Sequence, residues 1–375
     1  MINLKIALKL RKEYCIIQKV AEGGSRVFYH FEKGFVDFMK RIFGTTPRGE
    51  TACIYTISCG QMKAELSDFG ATLVRLYVPD SKGNTADVVL GFDSPAAYAA
   101  SDAYFGATVG RNANRVKDAA IVVGSKTYRL HANDGSNSLH SGPAGFERRM
   151  WQVAEHKADR ISFTLHSPHL DQGFPGNADI RVTYRLTADS LVISYAAVSD
   201  RDTVFNMTNH SYFNLAGHDQ PGKAMGQILS MPARFFTPAD AESIPTGELR
   251  PVVGTPMDFR SPKTLGRDIG ADYEPLHLQQ GYDHNFEVFC NPCAILSDPN
   301  SGRSMAVYTD CPGLQLYSGN YTDETGKDGV KYGRRSAVCL ETQFYPDAIH
   351  NQQWKQPVTK AGEKYKSETT YRFSW

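Results

Sequence analysis

From about Ala52 to the C-terminus, short runs of alternating apolar and polar residues follow one another with turn formers between them. In RISFTLH (160–166), Ile161, Phe163 and Leu165 share one face while Ser162, Thr164 and His166 share the other, the period of a half-buried strand. RVTYRLT (181–187) repeats the pattern through Val182, Tyr184 and Leu186, and SLVISYAAV (190–198) follows after the turn TADS. TLVRLYV (72–78) runs into the turn PDSKGN and then into ADVVLGF (86–92). Helical candidates are short, SPAAYAA (94–100) being the best of them. Strands this closely spaced, with no long helical pattern and no fixed repeat, predict an all-β fold: a large antiparallel β-sandwich in one domain.

Residues 1–48 break from this pattern. They carry ten Lys/Arg against four Asp/Glu, and KGFVDFMKRIF (33–43) has the spacing of a short amphipathic helix. GTTPRGE (44–50) reads as a linker of turn formers. The expected organisation is an N-terminal extension over 1–48, poorly ordered or the product of a start placed ahead of Met39, and the β-domain over 49–375.

Composition removes several function classes. With 41 Lys+Arg against 40 Asp+Glu, a net charge of +1, there is no basic field for nucleic acid. No run of 18 apolar residues occurs, so no membrane span is expected, and Lys5 and Lys9 interrupt what would otherwise resemble a signal peptide. Seven cysteines, an odd number, fit a reducing compartment better than a disulfide framework, so the expected location is cytoplasmic. Cys290 and Cys293 form a lone C-x-x-C without a second pair at zinc spacing and read as reduced thiols.

No phosphate loop, nucleophile elbow or H-E-x-x-H is present. Chemistry is concentrated instead in polar islands: GRNANRV (110–116), NSLHSG (137–142), TNHSYFN (208–214), GYDHNF (281–286), GLQLYSGN (313–320) and CLETQFYPDA (339–348). Each offers groups that hydrogen-bond a neutral polyol, with aromatics close by for the apolar faces of a sugar ring. Singly, each also has a bland explanation. A strand histidine is usually a satisfied structural group, Arg115 a surface charge, Asp283 a turn cap, and Asn114 or Asn214 a backbone partner. Glu341 resists this, because it ends the apolar run AVCL and glutamate is rarely buried without a partner or a task. Burial would push its pKa, as suits a general base near neutrality.

Taken in order, FGATVGRNANRV, NDGSNSLH, TNHSYFNLAGH, IPTGE, YDHNF, GLQLYSGN and ETQFYPDA closely resemble the galactose mutarotase (aldose 1-epimerase) family, from about residue 52 to the C-terminus. The resemblance implies a large twisted antiparallel β-sandwich, the galactose mutarotase-like supersandwich. It implies Glu341 as catalytic base, His210 as catalytic acid and His140 facing the reacting end of the sugar. Asn114, Arg115, Asp283 and Gln315 would hold ring hydroxyls. It implies an aldohexose as substrate, no cofactor and no metal, and leaves monomer or homodimer open. Two departures stand out: Ser141, in LHSGP, occupies a position where the family usually shows glycine, and the first fifty or so residues match nothing in it.

Anomer exchange opens and recloses the sugar ring, so one proton must leave the anomeric hydroxyl while another reaches the ring oxygen. Glu and His, at about 4.3 and 6.5 in model peptides, could be moved toward neutrality from opposite sides, giving an ionised base and a protonated acid. Rival readings are a hexose-6-phosphate epimerase, which calls for extra cations, and a non-catalytic sugar-binding module. A lyase or glycoside hydrolase would want a second catalytic carboxylate, for which Asp283 is the candidate.

Overall fold

The computed structural model describes residues 40–375, together with the backbone of a hairpin in which Ile6–Leu10 pairs antiparallel with Glu13–Ile17. That hairpin lies in the first of two units, Met1–Asp37, and everything below concerns the second, Phe38–Trp375. The second unit is β-rich throughout, as the alternating pattern predicts. Every pair within its three larger sheets is antiparallel.

The largest sheet has nine strands, in the order Gln152–His156, Arg160–Ser167, Ala178–Leu186, Ser190–Ser199, Lys364–Ser374, Ser304–Thr309, Ala294–Ser297, Ile228–Ser230 and Lys263–Thr264. Its register sets Ile161 opposite Tyr184 and Phe163 opposite Val182, so the apolar face read from the sequence is continuous across strands. A five-stranded meander from Lys40–Thr45 to Thr85–Asp87 contributes Ile57, Met62, Leu66 and Leu73 to the same buried cluster. A six-stranded sheet adds Phe286, Leu314, Leu316, Val338 and Leu340 to it. One large core thus joins all three sheets, the sandwich arrangement in which each sheet hides one face. The short helix Pro95–Ala100 forms where SPAAYAA predicted it. Ser94 caps it by accepting from the Ala97 N–H at 3.2 Å, and proline occupies its first turn.

Two expectations about the N-terminal region change. Lys40–Thr45 is a strand, not the end of an amphipathic helix, and it pairs along Thr51–Cys59 as the edge of the meander. GTTPRGE is therefore largely the hairpin loop between those strands rather than an interdomain linker: Thr46 N–H donates to Glu50 O at 2.8 Å, and Gly49 takes a positive φ of 81°. Phe43 explains the preference, since it is buried with Ala52, Ile54, Phe69 and Val74. The part of the expected helix before residue 40 lies outside the described residues.

Candidate active site

In a strand, side chains two residues apart share a face. Along Val338–Gln343, Val338 and Leu340 enter the core, so Cys339, Glu341 and Gln343 point away from it. On the neighbouring strand Gly313–Tyr317, Leu314 and Leu316 go inward and Gln315 and Tyr317 outward. On Asp283–Glu287, Phe286 goes inward and Asp283 and Asn285 outward. Register aligns the outward set into rows. Tyr212, Cys339, Tyr317 and Asp283 form one, and Glu341, Gln315 and Asn285 the next. Residues separated by more than fifty positions in sequence become a polar floor.

The two histidines come from loops above that floor. Strand Ser138–Leu139 pairs with Arg115–Val116, which brings His140 beside Asn114, and Thr208–Asn209 pairs with Thr108–Val109 just before His210. His210 Nε2 lies 3.7 Å from Glu341 Oε1, and both side chains are buried. The His140 and His210 rings meet edge to face at 5.3 Å. Sequence reasoning therefore selected the three groups that the fold brings together; one nitrogen of each histidine and a Glu341 oxygen lie within 4.8 Å of one another.

The residues expected to hold ring hydroxyls are close by. Gln343 Nε2 donates to Gln315 Oε1 at 3.4 Å, and Gln315 Nε2 donates to Asp283 Oδ1 at 2.6 Å, a relay that fixes which end of each amide faces its neighbour. Gln343, in the LETQ motif, was not singled out from sequence. Arg115 Nε donates to Asp134 Oδ2 at 2.6 Å, so Arg115 is half-buried and held rather than a free surface charge. Asn114 adopts a left-handed φ of 63°, and its Oδ1 accepts from the Arg115 N–H. Two asparagines around His210 prove structural. Asn209 Nδ2 donates to Gly106 O and Tyr184 Oη. Asn214 Nδ2 donates to Gln220 O and Ser336 O.

Ser141 accounts for its own departure from the family pattern. It takes φ 73°, the conformation a glycine would supply, and its hydroxyl accepts from the Asn112 N–H at 2.7 Å and donates to Asn112 O at 3.0 Å. Two cross-loop bonds thus compensate the backbone cost and keep the loop carrying His140 in place.

Electrostatics corrects one expectation. Burial pushes the Glu341 carboxyl well above the usual range, and the Asp283 carboxylate adds to this. His210 moves down rather than up, to about 4, because burial opposes the imidazolium too. His140 also falls well below its ordinary value through burial, then through His210 and Arg115. Its Nδ1 accepts from the Asn114 N–H at 3.1 Å, so the neutral ring carries its proton on Nε2. That tautomer bears on the metal-like composition of the trio. A ligating histidine donates its second N–H to an acceptor, whereas the second nitrogen of His140 faces a donor. The His140 tautomer thus does not suit a cation shared by the three groups.

An all-β sandwich with a buried histidine–glutamate pair among amide and carboxylate side chains defines a class: an acid–base enzyme acting on a sugar. Comparison with known proteins gives the family. The aldose 1-epimerase family model matches residues 54–372. The galactose mutarotase of Bos taurus is 37% identical over 346 residues, covering 90% of this chain and 99% of that protein. The aldose 1-epimerase of Haemophilus influenzae is 38% identical over 83% of this chain and 92% of its own. Among solved structures, the aldose epimerase homologue of C. elegans superposes with a TM-score of 0.79 at 32% identity, covering 86% of this chain and 99% of that one. The chain belongs to the aldose 1-epimerase family, and it is an isomerase of that class with the galactose mutarotase-like fold.

Proposed function

We propose that the protein interconverts the α and β anomers of free aldohexoses such as galactose and glucose, with Glu341 as base, His210 as acid and His140 as a neutral Nε2–H donor to the reacting end. The observation that carries this reading is the 3.7 Å approach of His210 Nε2 to Glu341 Oε1 beside the Gln315–Asp283 relay.

In the forward step Glu341 takes the proton of the anomeric hydroxyl, that O–H pair becomes the aldehyde C=O, the bond from C1 to the ring oxygen breaks, and His210 protonates the ring oxygen. Rotation about C1–C2 and reversal of the transfers closes the other anomer. The net change at the protein is one proton moved from His210 to Glu341 through the sugar. That transfer neutralises two buried charges, so the burial that lowers His210 and raises Glu341 favours ring opening. The ion pair and the neutral pair hold the same number of protons, and their titration belongs to the pair. Asn114, Arg115, Asp283 and Gln315 hold ring hydroxyls in ground and transition states alike.

Every group in this scheme comes from one chain, so either a monomer or a homodimer would serve. The described cysteines are free, which supports a reducing, cytoplasmic setting; no helix among the described residues is long and apolar enough to cross a membrane. The deciding experiment is polarimetry on fresh α-D-galactose and α-D-glucose with purified protein and no added metal or nucleotide. Relaxation faster than the buffer blank is expected; a rate equal to the blank with folded protein at micromolar concentration refutes the reading.

A further inference from the structure

Tyr104 was not among the residues singled out by motif, yet it touches both histidines. Its ring lies 4.7 Å from that of His140 and 5.8 Å from that of His210, the latter nearly parallel at 23°. Tyr212 also stacks on His210, at 5.1 Å and 24°. Tyr104 is held there by the backbone. It sits at φ 56°, its carbonyl accepts from the Ala107 N–H at 3.0 Å, the Gly106 N–H donates to His210 O, and the His210 N–H donates to Ala107 O, both at 2.9 Å. Gly106 is required for this turn, since a Cβ there would come within 2.0 Å of Leu73 O. At the imidazole edge, Cys339 Sγ lies 3.6 Å from Nδ1.

An aromatic face within about 6 Å attracts a cation through its quadrupole, and more strongly where water is excluded. We propose that Tyr104, together with Tyr212, is a positioning residue that fixes the plane of His210 and stabilises its protonated form in a site otherwise hostile to charge. The role rests on His210 being the acid. The remaining ionisable groups facing His210 are Glu341 and Cys339 from the floor, His140 from its loop, and Tyr317, at 6.2 Å, from the neighbouring strand; Asp283 acts through Glu341. The thiol stays protonated, because burial and Glu341 raise it, so Nδ1 faces a neutral group rather than a thiolate.

The test is the titration of His210 by NMR with carbon-13-labelled histidine, in a Glu341→Gln background so that only one member of the pair titrates. Tyr104→Phe, which keeps the face, should leave the His210 pKa in place; Tyr104→Leu, which keeps apolar volume without the face, should lower it by about half a unit. With Glu341 intact, Tyr104→Leu should reduce kcat by roughly threefold with KM unchanged, and Tyr104→Phe should restore it. Should the leucine variant fail to fold, Tyr104→Met serves in its place. An unchanged or raised His210 pKa on loss of the face overturns the proposal. So does a raised KM at unchanged kcat, which would make Tyr104 a sugar contact. His210→Asn separates this from the mechanism itself: a retained kcat there removes the acid role, whereas the titration reports the aromatic effect either way.

Discussion

Glu341→Gln removes the proposed base with little change of shape. Removing a positioned proton acceptor costs about 10²–10⁴-fold in rate. The structure argues for the upper end. Moving His210 from 6.5 to about 4 corresponds to roughly 3 kcal/mol against the imidazolium. A carboxylate at 3.7 Å returns about 4 kcal/mol at an effective dielectric near 20. The two are of the same size, so without the carboxylate His210 is neutral at pH 7 and the acid is lost with the base. We therefore expect kcat to fall by about 10⁴-fold, KM to change little, and His210→Asn added to Glu341→Gln to cost little more, as for groups acting as a unit. The fold should survive. Glu341 Oε2 has no hydrogen-bond partner and burial favours the neutral form, so at pH 7 a neutral amide is no worse than a carboxylate. Initial slopes of optical rotation from α-D-galactose, with melting temperatures as the control, measure both. A kcat within tenfold of the wild type would place the base elsewhere and refute the reasoning.

Glu147 is buried with neither carboxyl oxygen hydrogen-bonded, the Arg148 Nε being 3.6 Å away, and burial raises it from 4.5 to about 7. A raised folded pKa means that its stabilising contribution is present below about 4.5 and is lost as pH rises through 7. Glu147→Gln should thus stabilise at pH 8 by up to about 3 kcal/mol and change little at pH 4.5, read by denaturant unfolding. Ser141→Ala keeps the left-handed backbone and removes both bonds to Asn112, so it should cost about 1–3 kcal/mol and loosen His140, whereas Ser141→Gly should cost less because glycine takes φ 73° freely; equal losses would show the strain to be immaterial. A chain starting at Met39 keeps the Lys40–Thr45 edge strand and should retain melting temperature and activity, while one starting at Gly49 loses the buried Phe43 and should melt several degrees lower; loss of activity in the longer chain would assign the extension a role. Asp283→Asn and Arg115→Lys should raise KM more than they lower kcat in the same polarimetric assay, because they act on hydroxyls throughout the reaction.

Much of the fold was legible because period-two alternation is a local signal. Ile161, Phe163, Val182 and Tyr184 declare their faces without reference to the rest of the chain. What alternation could not show is the second face of the six-stranded sheet. In the sequence Glu341 follows the apolar run AVCL, which includes Cys339, and Gln343 drew no notice; only the register with Gln315 and Asp283 turns the three into a floor. The edge strand at Lys40–Thr45 failed for a related reason. Its Ile42 is exposed and its Phe43 buried, a pattern too short to separate from one turn of helix, and the partner strand decides it. Tyr104 left almost no trace, since its importance lies in a left-handed backbone and a pair of main-chain bonds to His210.

The charge state of the pair shows most clearly where residue identity stops being informative. Glutamate and histidine in the right motifs predict an ionised base and a protonated acid, as their solution pKa values would allow. The fold buries both, and burial acts against charge whatever its sign, so Glu341 rises while His210 falls. Had the pair been solvated, the ion pair would be its resting state and ring opening would proceed against it. In a buried site the ion pair sits higher in free energy, and in the proposed mechanism the sugar is the path by which it relaxes. The stacked rings of Tyr104 and Tyr212 and the 3.7 Å carboxylate then limit how far His210 falls, keeping the protonated form within reach. The proposed mechanism requires both features at once: enough burial to favour proton transfer through the substrate, and enough local stabilisation that the charged form is populated when the sugar arrives.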